Sequence, residues 1–599
     1  MLQAFHKAVH VLFVLLLCTL SLFSTNDFSK QIKQLANNPQ WHKLLHIKGH
    51  KSEIDDPTFF FSKKGKSNPK AELKASIEKL MSDKSDDENS TLCRYPSRSS
   101  WILEQLPELK KHIKLPKCTA LNQELKDLGA KHITLIFASA HINSPASAFG
   151  HTFLRIDKDA NTPLLSYAVN YAAQTAEDNG FVYAYQGLFG GYKGRYSIDP
   201  YYKKLHEYAN LEQRDIWEYT LNLSPKEIDR MVRHIFEIRH FYADYFFLAE
   251  NCSYNLLWLL EIAKEDVNLI NQFKHKAIPI DTLRAVLSEN LITKTTYRPS
   301  KRKEILNSAK AIKNNKQALN FAKSNDFDLT EIKKLPKKEK IASLELATAL
   351  LRIKLAKQEI SKEVYLKKFL ILLKSRSQLG LQTKEEISHS STPLEGHHSS
   401  KASFSFTNNQ AFQTRIKVAY HDIYDNDTGF IPGAYINFFD TALGYKDNKL
   451  TLEEIHLLDI RSYALQDAIF KPISWEVSLG AKRIFNNELN SYLKAGGGIT
   501  LGNKKFYGYA TVTPTLYYKS KTTQSVSANI GLLYNPSKKL KLGLLTSNEW
   551  FSQKREIQEI EPFITYNFNQ KSAINLRYEY SKMNEFEEKD LILSLFWYF

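Results

Sequence analysis

The chain has 599 residues, 43% of them hydrophobic, and a formal net charge of +18. That length allows roughly three or four domains with full cores and excludes a single compact unit. The charge is uneven, with 21 Lys and Arg against 8 Asp and Glu from Arg298 to Arg376, so the excess belongs to one segment.

Residues 1–24 read as a secretory signal peptide. Lys7 precedes an apolar run at 11–23, and polar Thr25, Asn26 and Asp27 follow it at once. The run is too short to span a bilayer comfortably. Cys18 follows Leu17 and not a small residue, which argues against a lipoprotein cleavage site. In an exported chain the counter-charge for the basic segment is an anionic membrane surface, a solvated helical face being the other reading, and nucleic acid is not an expected partner. Beyond Cys18 the chain holds Cys93, Cys118 and Cys252. An odd number in a disulfide-permitting compartment leaves one thiol free. Cys93 and Cys118, close in sequence around Pro96, Pro107 and Pro116, are expected to form a disulfide staple. Cys252 is then unpaired, an oxidation liability that favours a chemical role.

In chain order, residues 25–130 read as a helical, loop-rich region with an exposed linker at 82–90. Residues 131–295 read as an α+β domain, with strands at 133–138, 151–156 and 164–171. An aromatic and glycine-rich loop follows at 185–195. Ser224-Pro225-Lys226-Glu227 is a capping box with proline at the first helical position. Residues 296–390 read as a Lys-rich helical region, either a docking domain or a spacer.

From 391 to 599 the character changes to segments of about ten residues that alternate in polarity, separated by turns such as 425–429 and 535–538. Trp475, Val477, Leu479 and Ala481 share one face, and Glu476, Ser478, Gly480 and Lys482 the other. About twelve such strands, ending on Phe599, predict a transmembrane antiparallel β-barrel. The terminal phenylalanine resembles the signal read by the barrel-assembly machinery of bacterial outer membranes, the expected partner for insertion.

The chemistry centres on Cys252. Asn251 is a good N-cap, and Leu256, Leu257, Leu259, Leu260 and Ala263 recur at helical spacing, so the thiol stands at a helix N-terminus where unpaired N–H groups favour thiolate and a developing oxyanion. A cysteine nucleophile needs a base. His151, after Gly150 at a strand start, is preferred over His141 in the preceding loop. The adjacent His397 and His398 cannot comfortably share one metal without further ligands, and no partner cluster is visible in the sequence, so a structural junction is expected there, with no metal and no cofactor.

The pieces at 144–155 (SPASAFGHTFLR), 187–191 (GLFGG), 214–219 (RDIWEY) and 250–254 (ENCSY) together resemble the N-terminal periplasmic domain of the Lnb-type lipoprotein N-acyltransferases. That domain is similar to the permuted, NlpC-type papain-like fold also seen in lecithin:retinol acyltransferase, where the His strand precedes the Cys helix. The resemblance covers about residues 130 to 265. It implies Cys252 as acyl-accepting nucleophile and His151 as general base. Asn170 is the preferred third group, orienting the histidine, with Tyr167 and His141 as alternatives. Gly187, Leu188, Phe189, Gly190 and Gly191 form a loop suited to an acyl chain. The C-terminal part departs from the acyltransferase pattern, which carries membrane helices where this chain has barrel strands.

The expected function is a periplasmic cysteine-dependent acyltransferase or hydrolase, held at the outer membrane by its barrel, with outer-membrane lipid and a lipoprotein or phospholipid substrate as partners. A cell-wall cysteine peptidase or amidase is the second reading. A non-enzymatic channel or binding protein is the third.

Overall fold

The computed structural model describes residues 30–139, 149–159, 161–175, 180–312, 315–381, 387, 391–408, 411–467, 469–484, 488–552, 555–583 and 586–599. The signal segment and His141 lie outside them. The chain forms two compact units, one of Met1–Phe137, His151–His206 and Trp217–Thr296, the other of Ala138–Gly150, Glu207–Ile216 and Tyr297–Phe599.

In the first unit α1 (Pro39–Leu44), the short hairpin β1 (Ile47–Lys48) and β2 (Lys51–Ser52), α2 (Pro69–Ser82), α3 (Thr91–Arg94), α4 (Pro96–Gln105) and α5 (Thr119–Leu128) come first. Cys93 and Cys118 are joined as a disulfide, and Cys252 is the free cysteine among the described residues. There follow β3 (His132–Ala138), β4 (His151–Asp157), β5 (Tyr167–Gln174), α6 (Gly180–Phe189), β6 (Tyr192–Pro200), α7 (Tyr201–Leu205), β7 (Ile216–Leu221), α8 (Pro225–Ile238), β8 (Ala243–Tyr245), α9 (Cys252–Ala263), α10 (Pro279–Ser288) and β9 (Ile292–Arg298). The strands make one seven-stranded sheet in the order β8-β6-β5-β4-β3-β7-β9. The strand bearing His151 thus lies at the sheet's centre, and all seven of its residues are buried.

Helix α9 is apolar around its whole circumference, the signature of a helix enclosed on every side, and each of its residues is buried. Leu256, Leu257, Leu259, Leu260 and Ile262 alone contribute roughly 10 kcal/mol of burial before entropy is counted. Its polar groups have partners. Glu53 accepts from the Tyr254 hydroxyl at 2.8 Å and the Trp258 indole at 2.9 Å, and Gln40 Nε2 donates to the Ile262 carbonyl at 2.9 Å. The N-terminal segment is therefore part of the packing that fixes the cysteine helix. Arg98 binds Glu237 at 2.6 Å and Glu72 at 3.0 Å in the same interior, a buried triad that costs more to break than to form.

The second unit holds α11 (Lys301–Ala311), α12 (Lys316–Lys323), α13 (Lys337–Ala356) and α14 (Lys362–Ser377), and then twelve strands, β10 (Lys401–Thr407), β11 (Phe412–His421), β12 (Ala434–Lys446), β13 (Lys449–Ser462), β14 (Ser474–Ile484), β15 (Glu488–Gly502), β16 (Phe506–Tyr518), β17 (Thr522–Tyr534), β18 (Leu540–Phe551), β19 (Glu556–Asn567), β20 (Ser572–Met583) and β21 (Phe586–Tyr598). These close into an antiparallel barrel. In β16, Val512, Leu516 and Tyr518 face outward while Thr511, Thr513 and Thr515 face the lumen. Phe506, Tyr534, Tyr566 and Trp597 ring the exterior at one end, and Tyr445, Tyr518, Trp550 and Phe586 at the other. An apolar exterior between two aromatic girdles on a closed barrel is the arrangement a bilayer requires of strands.

The connections are lopsided. At the end where β10 begins and β21 finishes, residues 422–433 and 463–473 form long links, while at the far end every link, from 408–411 to 584–585, has four residues or fewer. Residues 425–429, which read as a surface turn, are drawn inside instead. Asp425 accepts from Lys401 of β10 at 2.8 Å, Lys417 of β11 at 2.7 Å and Tyr598 of β21 at 2.9 Å. Asp427 accepts from Lys541 of β18 at 2.7 Å and Tyr507 of β16 at 2.8 Å. Since β16 stands opposite β10 in the ring, the link crosses the lumen. With Ile423 it joins an interior layer of Tyr435, Tyr463, Tyr507, Tyr509, Leu533 and Phe563 that closes this end. Beyond the layer lies a cavity of about 420 Å³ lined by charged groups, among them Arg415, Glu454, Arg461, Glu476 and Lys482.

Candidate active site

Helix α9 and strands β4 and β5 bring Cys252, His151 and Asn170 together. Asn251 caps α9, its Oδ1 accepting from the N–H groups of Ser253 at 3.0 Å and Tyr254 at 3.2 Å. The amide nitrogen of Asn251 donates to the carbonyls of Phe247 at 2.9 Å and Ala277 at 2.6 Å. With both side-chain amide protons donated, the Asn251 side chain fixes the helix start. Cys252 follows at the first helical position, buried, and its N–H donates to the Tyr245 hydroxyl at 3.2 Å.

Burial pushes the Cys252 thiol up. The adjacent His151 imidazole, its hydrogen bond with the sulfur, the Thr152 N–H and the Tyr245 hydroxyl together outweigh burial and bring the thiol down to about 7. His151 Nε2 hydrogen-bonds Asn170 Oδ1 at 2.7 Å. An amide oxygen can only accept, so Nε2 carries the proton, and Nδ1 is left to face the thiol. Asn170 can do this because β5 runs antiparallel beside β4, Leu154 opposite Val169. Tyr167 pairs with Ile156 near the far end of β4, away from His151. Burial, Glu53 and Asp55 push the Glu250 carboxyl, two residues before Cys252, up to about 8.

The structure differs from the sequence reading at 187–191. Gly187, Leu188 and Phe189 form the last turn of α6, and Gly190, at φ +78°, makes the turn toward β6. A Cβ on Gly187 would overlap the Phe247 ring, and one on Gly190 the Phe246 ring, while the Phe247 N–H donates to the Gly187 carbonyl at 2.8 Å. These glycines let α6 press against the segment that leads into Cys252. Leu188 is half-buried, whereas Phe189 is exposed and packs on exposed Tyr185 at a ring distance of 4.9 Å, an apolar patch on the helix. Tyr171 stacks on Tyr245 at 5.8 Å and so backs the hydroxyl that touches the cysteine. Neither Tyr245 nor Thr152 stood out in the sequence, since one is an aromatic among many and the other acts through its backbone.

The motif 214–219 serves the frame. Glu218 accepts from Arg155 at 2.7 Å and from the Tyr201 hydroxyl at 3.0 Å, and Arg155 also holds Asp157 at 2.7 Å, tying β7 to β4 with buried charges.

Among the described residues one group has metal-ligand composition, His397, His421 and Asp425, with ligand atoms within 4.8 Å of one another. This corrects the reading that His397 lacks partners. Its donors are engaged: His397 Nε2 bonds His421 Nδ1 at 2.9 Å, and Asp425 already faces two lysine ammonium groups. A cation would have to displace that charge balance. His397 instead stacks on Phe430 at 4.5 Å and Tyr598 at 4.4 Å where the chain enters the barrel.

Residues 121–289 match the family described as the Lnb N-terminal periplasmic domain. Residues 33–105, 295–386 and 390–598 match three domains of unknown function. No curated protein matches the chain. Solved structures similar to the barrel include a NanC porin, at 8% identity over 34% of this chain and 100% of that chain with a TM-score of 0.24. A KdgM porin in complex with disordered oligogalacturonate follows at 8% identity over 34% and 99%, TM-score 0.22. A loop L8 deletion mutant of OmpT, an outer membrane protein of Vibrio cholerae, is similar at 7% identity over 34% and 98%, TM-score 0.19. The barrel assignment stands on its own strands and girdles. The chain thus carries an Lnb-type periplasmic domain tethered to an outer-membrane barrel surrounded by lipid.

Proposed function

We propose that the chain is a barrel-tethered cysteine acyltransferase or hydrolase acting on lipid or lipoprotein acyl groups. The observation that carries this reading is the contact of Cys252 with His151, itself held by Asn170. Nδ1 of His151 takes the thiol proton, and the thiolate adds its electron pair to the acyl carbonyl. The carbonyl electrons move onto oxygen, which takes over the Cys252 N–H now donated to Tyr245, while the Tyr245 hydroxyl turns to donate. The tetrahedral species collapses to a thioester, and the leaving oxygen receives its proton from the His151 imidazolium. An amine or water then attacks the thioester, gives its proton to His151 and releases the Cys252 thiolate.

The tether favours acyl substrates, since it confines the domain to the neighbourhood of membrane lipid. The exposed Tyr185 and Phe189 pair offers apolar surface that a cell-wall peptide does not need. The test is comparison of lipid and lipoprotein acylation in cells carrying wild-type or Cys252→Ala protein. Altered acyl chains in the mutant support the proposal, and unchanged acylation with altered muropeptides would replace it by a cell-wall hydrolase.

A further inference from the structure

The four basic helices α11 to α14 are outside the chemistry above and have a core of their own, built on Ile305, Phe321, Leu344, Leu346, Leu351 and Leu372. Ile469 and Phe470, from the long β13 to β14 connection, pack into that core. Arg302 donates at 2.9 Å to both the Leu465 carbonyl and Asp467 of the same connection. The helices are therefore fastened to the end of the barrel that bears the long connections, the end at which the chain arrives at β10 from its periplasmic domain.

Helix α14 is apolar on two faces but buries only one. Tyr365, Phe369 and Leu372 turn to the helical core, whereas Leu366, Leu370 and Leu373 are 45%, 60% and 49% exposed. Those three leucines recur at i, i+4 and i+7, one outward stripe, and exposed Lys367 and Lys374 border it. A stripe of leucines edged by lysines on a helix is the pattern of an interfacial element, whose apolar side enters the acyl boundary while its cations meet anionic headgroups.

We infer that α14 docks onto the periplasmic leaflet of the outer membrane beside the barrel, on anionic phospholipid. Two features select lipid over a protein partner. The first is charge, because the segment from Arg298 to Arg376 carries 21 Lys and Arg against 8 Asp and Glu. The second is attachment, since the helices are fastened to a connection between two strands of a barrel that lipid surrounds. Such docking gives the basic segment a role as a second membrane contact.

The test uses the full-length Cys252→Ala protein with a nitroxide attached through Leu370→Cys, reconstituted in vesicles of phosphatidylethanolamine and phosphatidylglycerol, 3:1. Heat-modifiable migration confirms a folded barrel. At position 370 molecular oxygen should relax the label several-fold more effectively than a water-soluble nickel chelate, and replacing the phosphatidylglycerol by phosphatidylcholine should reduce that preference. A label at Leu373→Cys should behave alike, while one at Lys338→Cys, on α13, should favour the nickel chelate. Equal nickel access at 370, 373 and 338 would overturn the inference. So would labels at 370 and 373 that neither relaxant reaches, the sign of a protein partner or a second copy of the chain.

Discussion

Replacing His151 by alanine removes the imidazole and its hydrogen bond, the largest influences that hold the Cys252 thiol low, and leaves burial opposed only by the Thr152 N–H and the Tyr245 hydroxyl. In the wild type the thiol sits at about 7 against an ordinary 9.0. About half is thiolate at pH 7, whereas a thiol at the ordinary value is only about 1% ionised there, a loss of roughly fifty-fold in reactive species. A more basic thiolate is intrinsically the better nucleophile, and two units at a Brønsted slope near 0.45 return roughly eightfold. The net fall in alkylation rate at pH 7 is then only about sixfold, so a single rate is a weak test. The pH profile is decisive. Iodoacetamide alkylation of Cys252, followed by intact mass, should rise through a midpoint near pH 7 in the wild type and near or above pH 9 in His151→Ala. The sign follows from the chemistry, since an acid held low gains its charged form at lower pH. Coincident midpoints in the two proteins would refute the pairing.

Asn170→Ala removes the 2.7 Å acceptor on His151 and should lower kcat/KM for acyl transfer roughly 10- to 100-fold, with Asn170→Asp retaining most of it because an acceptor remains; steady-state kinetics checks both. Gly187→Ala drives a methyl into the Phe247 ring and should cost about 1 to 3 kcal/mol of stability while slowing Cys252 alkylation, read by chemical denaturation and mass spectrometry. In planar bilayers the wild-type barrel should pass no steady current. Replacing Asp422, Asp425 and Asp427 by alanine leaves Lys401, Lys417 and Lys541 without their carboxylate partners in the lumen and should produce open-channel events.

Sequence and structure agree where chemistry is local. A cap residue, a cysteine and an apolar run define the start of α9 without reference to anything distant, and the alternation of β14 or β16 is written into each strand. The order of a His strand before a Cys helix was legible for the same reason. What failed to show depends on partners remote in sequence. Residues 425–429 have the composition of a solvated turn, and partners remote in sequence, the lysines of β10, β11 and β18 with Tyr507 and Tyr598, draw them into the lumen. Gly187 to Gly191 carry loop composition, yet α6 runs through Gly187, because a side chain there would collide with Phe247. Tyr245 reaches the cysteine from a neighbouring strand, a contact that neither spacing nor motif encodes.

The central claim is that Cys252 carries an acyl group during turnover. Purified protein in vesicles containing diacyl phospholipid should be quenched in acid within the first turnovers and its intact mass measured. The account predicts an added mass of one fatty acyl chain, removed by neutral hydroxylamine, mapped to Cys252, and absent from Cys252→Ala. Acyl transfer or release that continues in Cys252→Ala, with no such adduct on the wild type, would contradict it.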